Sequence, residues 1–329
     1  MSKILLAILC LMLLILLHEF GHFIAAKIFH VKVTDFSVGM GPPIVSKTMG
    51  ETTYRLSCLP IGGYCAMVGE DGNTEDPRSL QNLVWYKRIV IMLAGITMNF
   101  AIGLILLSIL IFPHSQMVVP IVEAVSPEVS QTYNIQPGDR ILSIDSFKIF
   151  IPNDVLYADV LDRDRQLTFK LLSAEGEPKT ITSEHTVSLN GTVSFSTEPG
   201  TPQAKIKQVF NGTASMIQAV IQSLKLLFTG KVDINDMSGP IGIIDTAAKA
   251  QSSSNFVYIF AFISINLACM NLLPIPALDG GQALLCLAEG VFKKKVPAKA
   301  IAVVNMITML LLMGLILIVS VLDITKLFS

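Results

Sequence analysis

Four stretches of this chain are long, apolar and nearly free of charge: approximately Ile4 to Phe29, Ile89 to Phe112, Phe256 to Leu287 and Ile301 to Leu322. A bilayer crossing needs about 20 such residues, and inside lipid the backbone must satisfy its own hydrogen bonds, which favours helices. The pattern predicts a polytopic α-helical membrane protein with four transmembrane helices. Composition agrees, with 52% hydrophobic and 15% charged residues against about 25% charged in soluble proteins. The net charge of −1 and the lack of a basic, aromatic-interleaved stripe exclude nucleic acid as a partner. Lys3 before an apolar run suggests a signal peptide, but no small-residue cleavage site follows, so the segment is expected to be retained.

Lys and Arg near the spans set the expected orientation. Lys27, Lys32, Lys87 and Arg88 bound the first connection, and Lys293, Lys294, Lys295 and Lys299 lie in the third. The positive-inside rule puts both connections in the cytoplasm, with both termini and the long central region outside it. Trp85 and Tyr86 read as an interface anchor. The five cysteines, Cys10, Cys58, Cys65, Cys269 and Cys286, form no Cys-x-x-Cys pair and read as small buried hydrophobes.

Within the first apolar run stands His18-Glu19-Phe20-Gly21-His22. Side chains four apart on a helix share a face, so His18 and His22 can reach one ion. Imidazole is a common zinc ligand, and Glu19 can accept a proton from a metal-activated water. Ionisable groups at membrane depth are costly and functional by default. Catalytic zinc sites commonly use three protein ligands. Asp279 is the expected third, because it stands out among few acidic residues in the apolar stretch Asn271-Leu272-Leu273-Pro274-Ile275-Pro276-Ala277-Leu278-Asp279-Gly280-Gly281. Pro274 and Pro276 are expected to open the third span, and Gly280 and Gly281 to let it approach the first helix. Asn271 is suited to hold substrate backbone or a developing oxyanion, or to cap the broken helix. Glu289 reads as a solvated charge.

The first connection holds Phe36 to Pro43, including Gly39 and Gly41, then Thr53 to Val68, read as paired strands turned at Pro60-Ile61-Gly62-Gly63. An exposed strand edge there is expected to hold an extended peptide, with Gly39 and Gly41 as substrate-binding positions. The second span carries Gly95, Asn99 and Gly103 at four-residue spacing, which lets helices approach closely. Packing is the expectation for the glycines, whereas Asn99 reads equally as packing or as a polar group with a task. From about Met117 to Pro199 the sequence becomes that of a small soluble β-rich domain, with strands at Met117 to Val125, Asn134 to Leu142 (turn then strand) and Gln166 to Leu172. Ala214 to Leu227 reads as an amphipathic helix with Met216, Ile217, Val220, Ile221, Leu224 and Leu227 on one side. His30, His114 and His185 have no ligand-spaced partners and read as surface histidines.

The His-Glu helix together with the Asn271 to Gly281 segment resembles the site-2 protease family of intramembrane zinc metalloproteases, and the resemblance covers most of the chain. The bacterial regulator-of-sigma-E branch is the most similar. Asn134 to Leu142 resembles the Pro-Gly-Asp-Arg-Ile turn of a PDZ domain, and Ser238-Gly239-Pro240-Ile241-Gly242-Ile243 a family segment ahead of the third span. The resemblance implies zinc bound by His18, His22 and Asp279, Glu19 as general base, and Asn271 as an aid to substrate or transition-state binding. It also implies a membrane-associated β region and an inserted extracytoplasmic PDZ region; the branch often carries two PDZ domains in tandem, whereas the space from Met117 to Pro199 fits one. The family often carries Gly-Pro before the Asn of the second span, whereas this chain has Gly95-Ile96. The expected division is 1–112 (His-Glu helix and β region), 113–200 (PDZ domain), 201–255 (amphipathic linker) and 256–329 (C-terminal membrane part).

The expected activity is proteolysis of single-span membrane proteins, such as anti-sigma factors or signal-peptide remnants, in a stress response at the inner membrane. An upstream site-1-type protease would make the first cut, and membrane lipid would surround the site. Two rivals are a membrane zinc transporter and a non-catalytic PDZ scaffold. A transporter does not account for the Glu directly beside the first His, and a scaffold has no reason to retain both halves of a metal site.

Overall fold

The computed structural model describes residues 2–70, 75–161, 166–184, 187–230, 239–294 and 296–328. His185, Ser238 and Lys295, singled out above, lie outside the described residues. The chain divides into two compact units, one of residues 1–103 with 224–329 and the other of residues 104–223.

The first unit holds the apolar helices. Four described helices are long and apolar enough to cross a membrane: α1 (Ser2–Ile28), α2 (Trp85–Ile111), α7 (Ser253–Asn271) and α9 (Ala298–Phe328). At 1.5 Å per residue the 27 residues of α2 extend about 40 Å, ample for a hydrocarbon core of about 30 Å. Large apolar side chains such as Leu5, Leu9, Leu310 and Leu311 stand exposed, a surface that only lipid solvates without cost. The third span is shorter than read from sequence, because α7 ends at Asn271 and a new helix, α8 (Asp279–Phe292), starts after the prolines. Proline lacks an N–H and clashes with the preceding turn. The freed carbonyl of Pro276 is met by the Gln282 side chain at 2.6 Å, as irregular backbone at membrane depth requires. The short helix α6 (Pro240–Ala248) has no side-chain cap of its own. Asp323 on α9 supplies one, accepting from the amides of Gly239 at 2.9 Å and Gly242 at 2.8 Å.

The connection after α1 forms a two-stranded sheet of β1 (Val33–Met49) and β2 (Thr52–Met67), joined by a turn at Gly50-Glu51. Thr53 to Val68 does not fold as a hairpin on itself. Its two arms flank β1 instead, so that Phe36 faces Tyr54 on one side and Cys65 on the other, and Ser37 faces Arg55 and Tyr64. Burial decides this: Val33, Ser37, Cys65 and Met67 are sequestered, and Val33, Cys65 and Met67 join one apolar cluster with Ala26 of α1 and Ile91 of α2.

Glu289 is not solvated. Its side chain is 9% exposed and pairs with Arg88 at 2.5 Å, joining the start of α2 to α8. A carboxylate withdrawn from water needs such a partner. The indole of Trp85 packs over Gly290 in the same place.

The second unit is a sheet in the order β7-β6-β4-β3-β8 with β5 paired to β4, built from β3 (Gln116–Val125), β4 (Arg140–Ile144), β5 (Phe147–Lys148), β6 (Gln166–Leu172), β7 (Pro178–Glu184) and β8 (Val193–Pro199). Along β6, Leu167, Phe169 and Leu171 are buried and alternate with more exposed residues, the period-2 mark of a half-buried strand. They form one core with Tyr133, Ile141, Ile144 and Leu189. Two short helices, α3 (Pro127–Tyr133) and α4 (Asn153–Leu161), belong to this unit. In the turn before β4, Asp139 accepts from the Gln136 amide at 3.0 Å, and Gly138 takes φ +94°. At the start of α4, buried Asp154 accepts from the amides of Phe150 and Ile151 at 2.8 and 3.0 Å and from Ser215 Oγ at 2.5 Å. Burial pushes the Asp154 carboxyl above its ordinary value, more than these three donors lower it. The amphipathic helix begins earlier than read: α5 spans Pro202–Phe228, with Val209, Gly212 and Thr213 buried besides Met216 and Val220. Ile221, expected on the apolar side, is exposed.

Candidate metal centre

His18 and His22 lie one turn apart on α1 and are 8% and 6% exposed. Asp279 is the first residue of α8, where the helix dipole favours an anion. Its Oδ2 is 3.1 Å from His18 Nε2 and 3.2 Å from His22 Nε2, and the two Nε2 atoms are 3.3 Å apart. This triangle is the group of described residues able to hold a metal ion.

The separations test what the triangle can bind. Zinc bonds of about 2.0–2.1 Å at tetrahedral angles put ligand atoms about 3.3–3.4 Å apart, close to the three distances observed. Direct imidazolium–carboxylate hydrogen bonds would be shorter, about 2.7–2.9 Å, and Asp279 Oδ2 makes none that is well formed although it is fully buried. His22 Nδ1 lies 2.8 Å from the Ile91 carbonyl. A carbonyl only accepts, so Nδ1 carries the proton and Nε2 presents its lone pair to the triangle. The donor set therefore fits zinc.

Glu19 sits next to this triangle, partly buried. The β2 backbone passes close by, since a Cβ on Gly63 would stand 3.6 Å from Glu19 Cγ. Burial pushes the Cys65 thiol up to about 12, so at neutral pH it stays a thiol. Helix α2 covers the histidines through Gly95, whose missing side chain is the space the imidazoles occupy. A Cβ there would collide with His22 Nε2 and lie 2.7 Å from His18 Cε1. The packing expected of Gly95 is thus packing on the histidines themselves. Gly103 likewise receives Ile265 of α7.

The remaining expected residues are placed differently. Asn271 ends α7, half-buried, eight residues before Asp279. Gly39 and Gly41 adopt φ of +82° and +89° where β1 bends, conformations that favour glycine. What each touches is β2, at Leu59, Ser57 and Cys58. Gly280 and Gly281 do not approach α1. Their Cα faces lie against the chain's own turn at Leu272, Leu273, Ile275 and Pro276, because α8 folds straight back on the segment that precedes it. The Ile91 carbonyl was not expected from sequence, and Asn99, read equally as packing or as a polar group with a task, places Nδ2 3.1 Å from His18 Nδ1. Helix α2 is continuous through Gly95-Ile96, so the absent proline leaves an unbroken helix over the histidines.

The profile of Peptidase family M50 matches residues 6–315. A protein of Clostridium perfringens named "Putative zinc metalloprotease" is 34% identical, with 98% of each chain covered. A protein of the same description from Clostridium acetobutylicum is also 34% identical, over 98% of this chain and 97% of its own, and one from Fusobacterium nucleatum is 30% identical over 99% of each. With a metal-fitting site among apolar helices and a family match over nearly its whole length, this chain belongs to peptidase family M50, the site-2 proteases, and is a zinc metalloprotease of the membrane.

Proposed function

We propose that this protein cuts single-span membrane proteins within or next to the bilayer, in the manner of the regulator-of-sigma-E branch. His18, His22 and Asp279 hold the zinc and Glu19 is the general base. The convergence of two Nε2 atoms and one carboxylate oxygen at 3.1–3.3 Å carries this reading. Zinc held there supplies Lewis acidity and lowers the pKa of water towards about 7. Glu19 takes the proton from the attacking water and hands it to the leaving amine. The β2 backbone passes beside Glu19 at Gly63.

A helix hides its scissile carbonyls in its own hydrogen bonds, so the substrate must be drawn out as a strand. The β1–β2 sheet beside Glu19 offers a strand edge for this, with the bends at Gly39 and Gly41 shaping it, and Asn271 holds the substrate backbone or the developing oxyanion. The β-rich segment of residues 113–200 acts as a single PDZ domain outside the cytoplasm. Its support is a small antiparallel sheet with two short helices and the turn at Gln136 to Asp139. The Lys and Arg of the first and third connections put the active site towards the cytoplasmic side of the inner membrane. The substrates are anti-sigma factors or signal-peptide remnants already trimmed by an upstream protease.

The test is cleavage of a model single-span protein by the purified protein in detergent. Glu19→Gln should lose about 10²–10⁴-fold in rate while keeping its zinc. Cleavage by that variant at the wild-type rate would remove Glu19 as the base.

A further inference from the structure

We propose that Asn99 is a positioning residue for the metal centre: its side-chain oxygen accepts the Nδ1 proton of His18 and so leaves His18 Nε2 free to bind the metal. This rests on the reading that His18 and His22 are zinc ligands.

Asn99 Nδ2 lies 3.1 Å from His18 Nδ1 across α1 and α2, and Asn99 is 1% exposed. The two ends of an amide have the same shape but opposite chemistry, so hydrogen bonding decides which end faces the ring. If Nδ2 faces His18, Nδ1 must accept, and a neutral imidazole then carries its proton on Nε2, pointing into the ligand triangle. That arrangement leaves Asn99 Oδ1 buried with no hydrogen-bond partner. If Oδ1 faces His18, Nδ1–H donates and Nε2 presents a lone pair beside Asp279, while Nδ2 takes the place the oxygen leaves, so the amide's outer end does not decide between the two and the ring does. Only the second is compatible with a metal ligand.

The same logic already operates at His22, where the partner is the Ile91 carbonyl at 2.8 Å. Ile91, Gly95 and Asn99 are spaced by four and so form one stripe of α2. Its two ends hold the two imidazoles, and Gly95 between them gives the rings room. Helix α2 contributes no ligand, yet it selects the tautomer of both. The stripe is itself held, since Ser264 of α7 donates to the Asn99 backbone carbonyl at 2.8 Å.

The experiment measures zinc affinity by chelator competition on the full-length protein in detergent, for wild type, Asn99→Leu, Asn99→Asp and His22→Ala. Loss of an outer partner of a metal-bound histidine typically costs about 10–100-fold in affinity. Asn99→Leu, close in volume but unable to accept, should weaken zinc by that factor. Asn99→Asp keeps an acceptor and should stay within about threefold of wild type. Thermal melts in chelator check that Asn99→Leu folds without metal; if it does not, Asn99→Asp against Asn99→Ala gives the same contrast. Equal zinc affinity in Asn99→Leu (or Asn99→Ala) and wild type, or an equal loss in Asn99→Asp and the variant that cannot accept, would overturn the inference. His22→Ala separates this from failure of the zinc reading: wild-type affinity there refutes the ligand set, whereas lost affinity there with none lost in Asn99→Leu refutes only the role of Asn99.

Discussion

The two units bury polar groups for opposite ends. In the unit of residues 104–223 the core is apolar, with Phe169, Tyr133, Ile141 and Leu167 at its centre, and its buried acids Asp139 and Asp154 bind nearby amides to shape a turn and a helix start. In the helical unit the buried polar residues cross between elements far apart in sequence: His18, His22 and Asp279 converge, Asn99 meets His18, Arg88 meets Glu289, and Asp323 meets the start of α6. One unit uses its buried acids chiefly to fix local backbone, with Ser215 of α5 as a distant donor to Asp154. The other uses it to register helices that lipid alone would not hold in place, because hydrocarbon tails give apolar helices no reason to prefer each other.

That contrast can be broken in four ways. Asp279→Ala should have the largest effect, with zinc binding weakened by more than about 100-fold, since the loss of a proposed ligand outranks that of its outer partners, and with hydrogen exchange in the 104–223 unit unchanged. Slowed or quickened exchange there would mean that the units are not independent in stability. Phe169→Ala should do the reverse. It removes a fully buried ring and should destabilise the β unit by about 3–5 kcal/mol, seen as lost amide protection along β6, with zinc content intact. Gly95→Ala places a methyl against both imidazoles and should cut zinc affinity at least about tenfold by chelator competition; an unchanged affinity would show that α2 can retreat freely.

The smallest effect concerns pH. The Asp154 carboxyl is raised in the folded state by burial, so folding binds a proton there more readily than the unfolded chain does. Its stabilising contribution is full below the ordinary aspartate value of about 3.9 and is lost as pH rises through the raised folded value. Asp154→Asn should abolish this dependence. Amide protection at Phe150 and Ile151, compared between wild type and variant across that window, reads it; a wild-type curve that falls on acidification relative to the variant would reverse the sign.

Much of the architecture was legible because membrane spans are written in composition and the histidine pair in a spacing of four. Asp279 was legible because a lone acid in apolar sequence has few other uses. The partners of these residues were not. Spacing within α1 fixes which side chains share a face but not which face of α2 meets it, so Asn99 read equally as packing and Ile91, whose contribution is a carbonyl, gave no signal. The β region failed similarly: alternation in Thr53 to Val68 marks strands, but their pairing to both sides of β1 is a long-range choice. Glu289 read as solvated because its partner lies 201 residues away. The first turns of α5 carry Lys205, Lys207, Asn211 and Gly212, a weak helical pattern overridden by packing at Val209 and Thr213.

The most direct test of the metal centre is zinc K-edge X-ray absorption on the purified protein. Two imidazole nitrogens and carboxylate oxygen at about 2.0–2.2 Å are predicted, with the imidazole signal reduced in His22→Ala. A sulfur shell at about 2.3 Å, which would have to come from one of the free cysteines, would contradict the account.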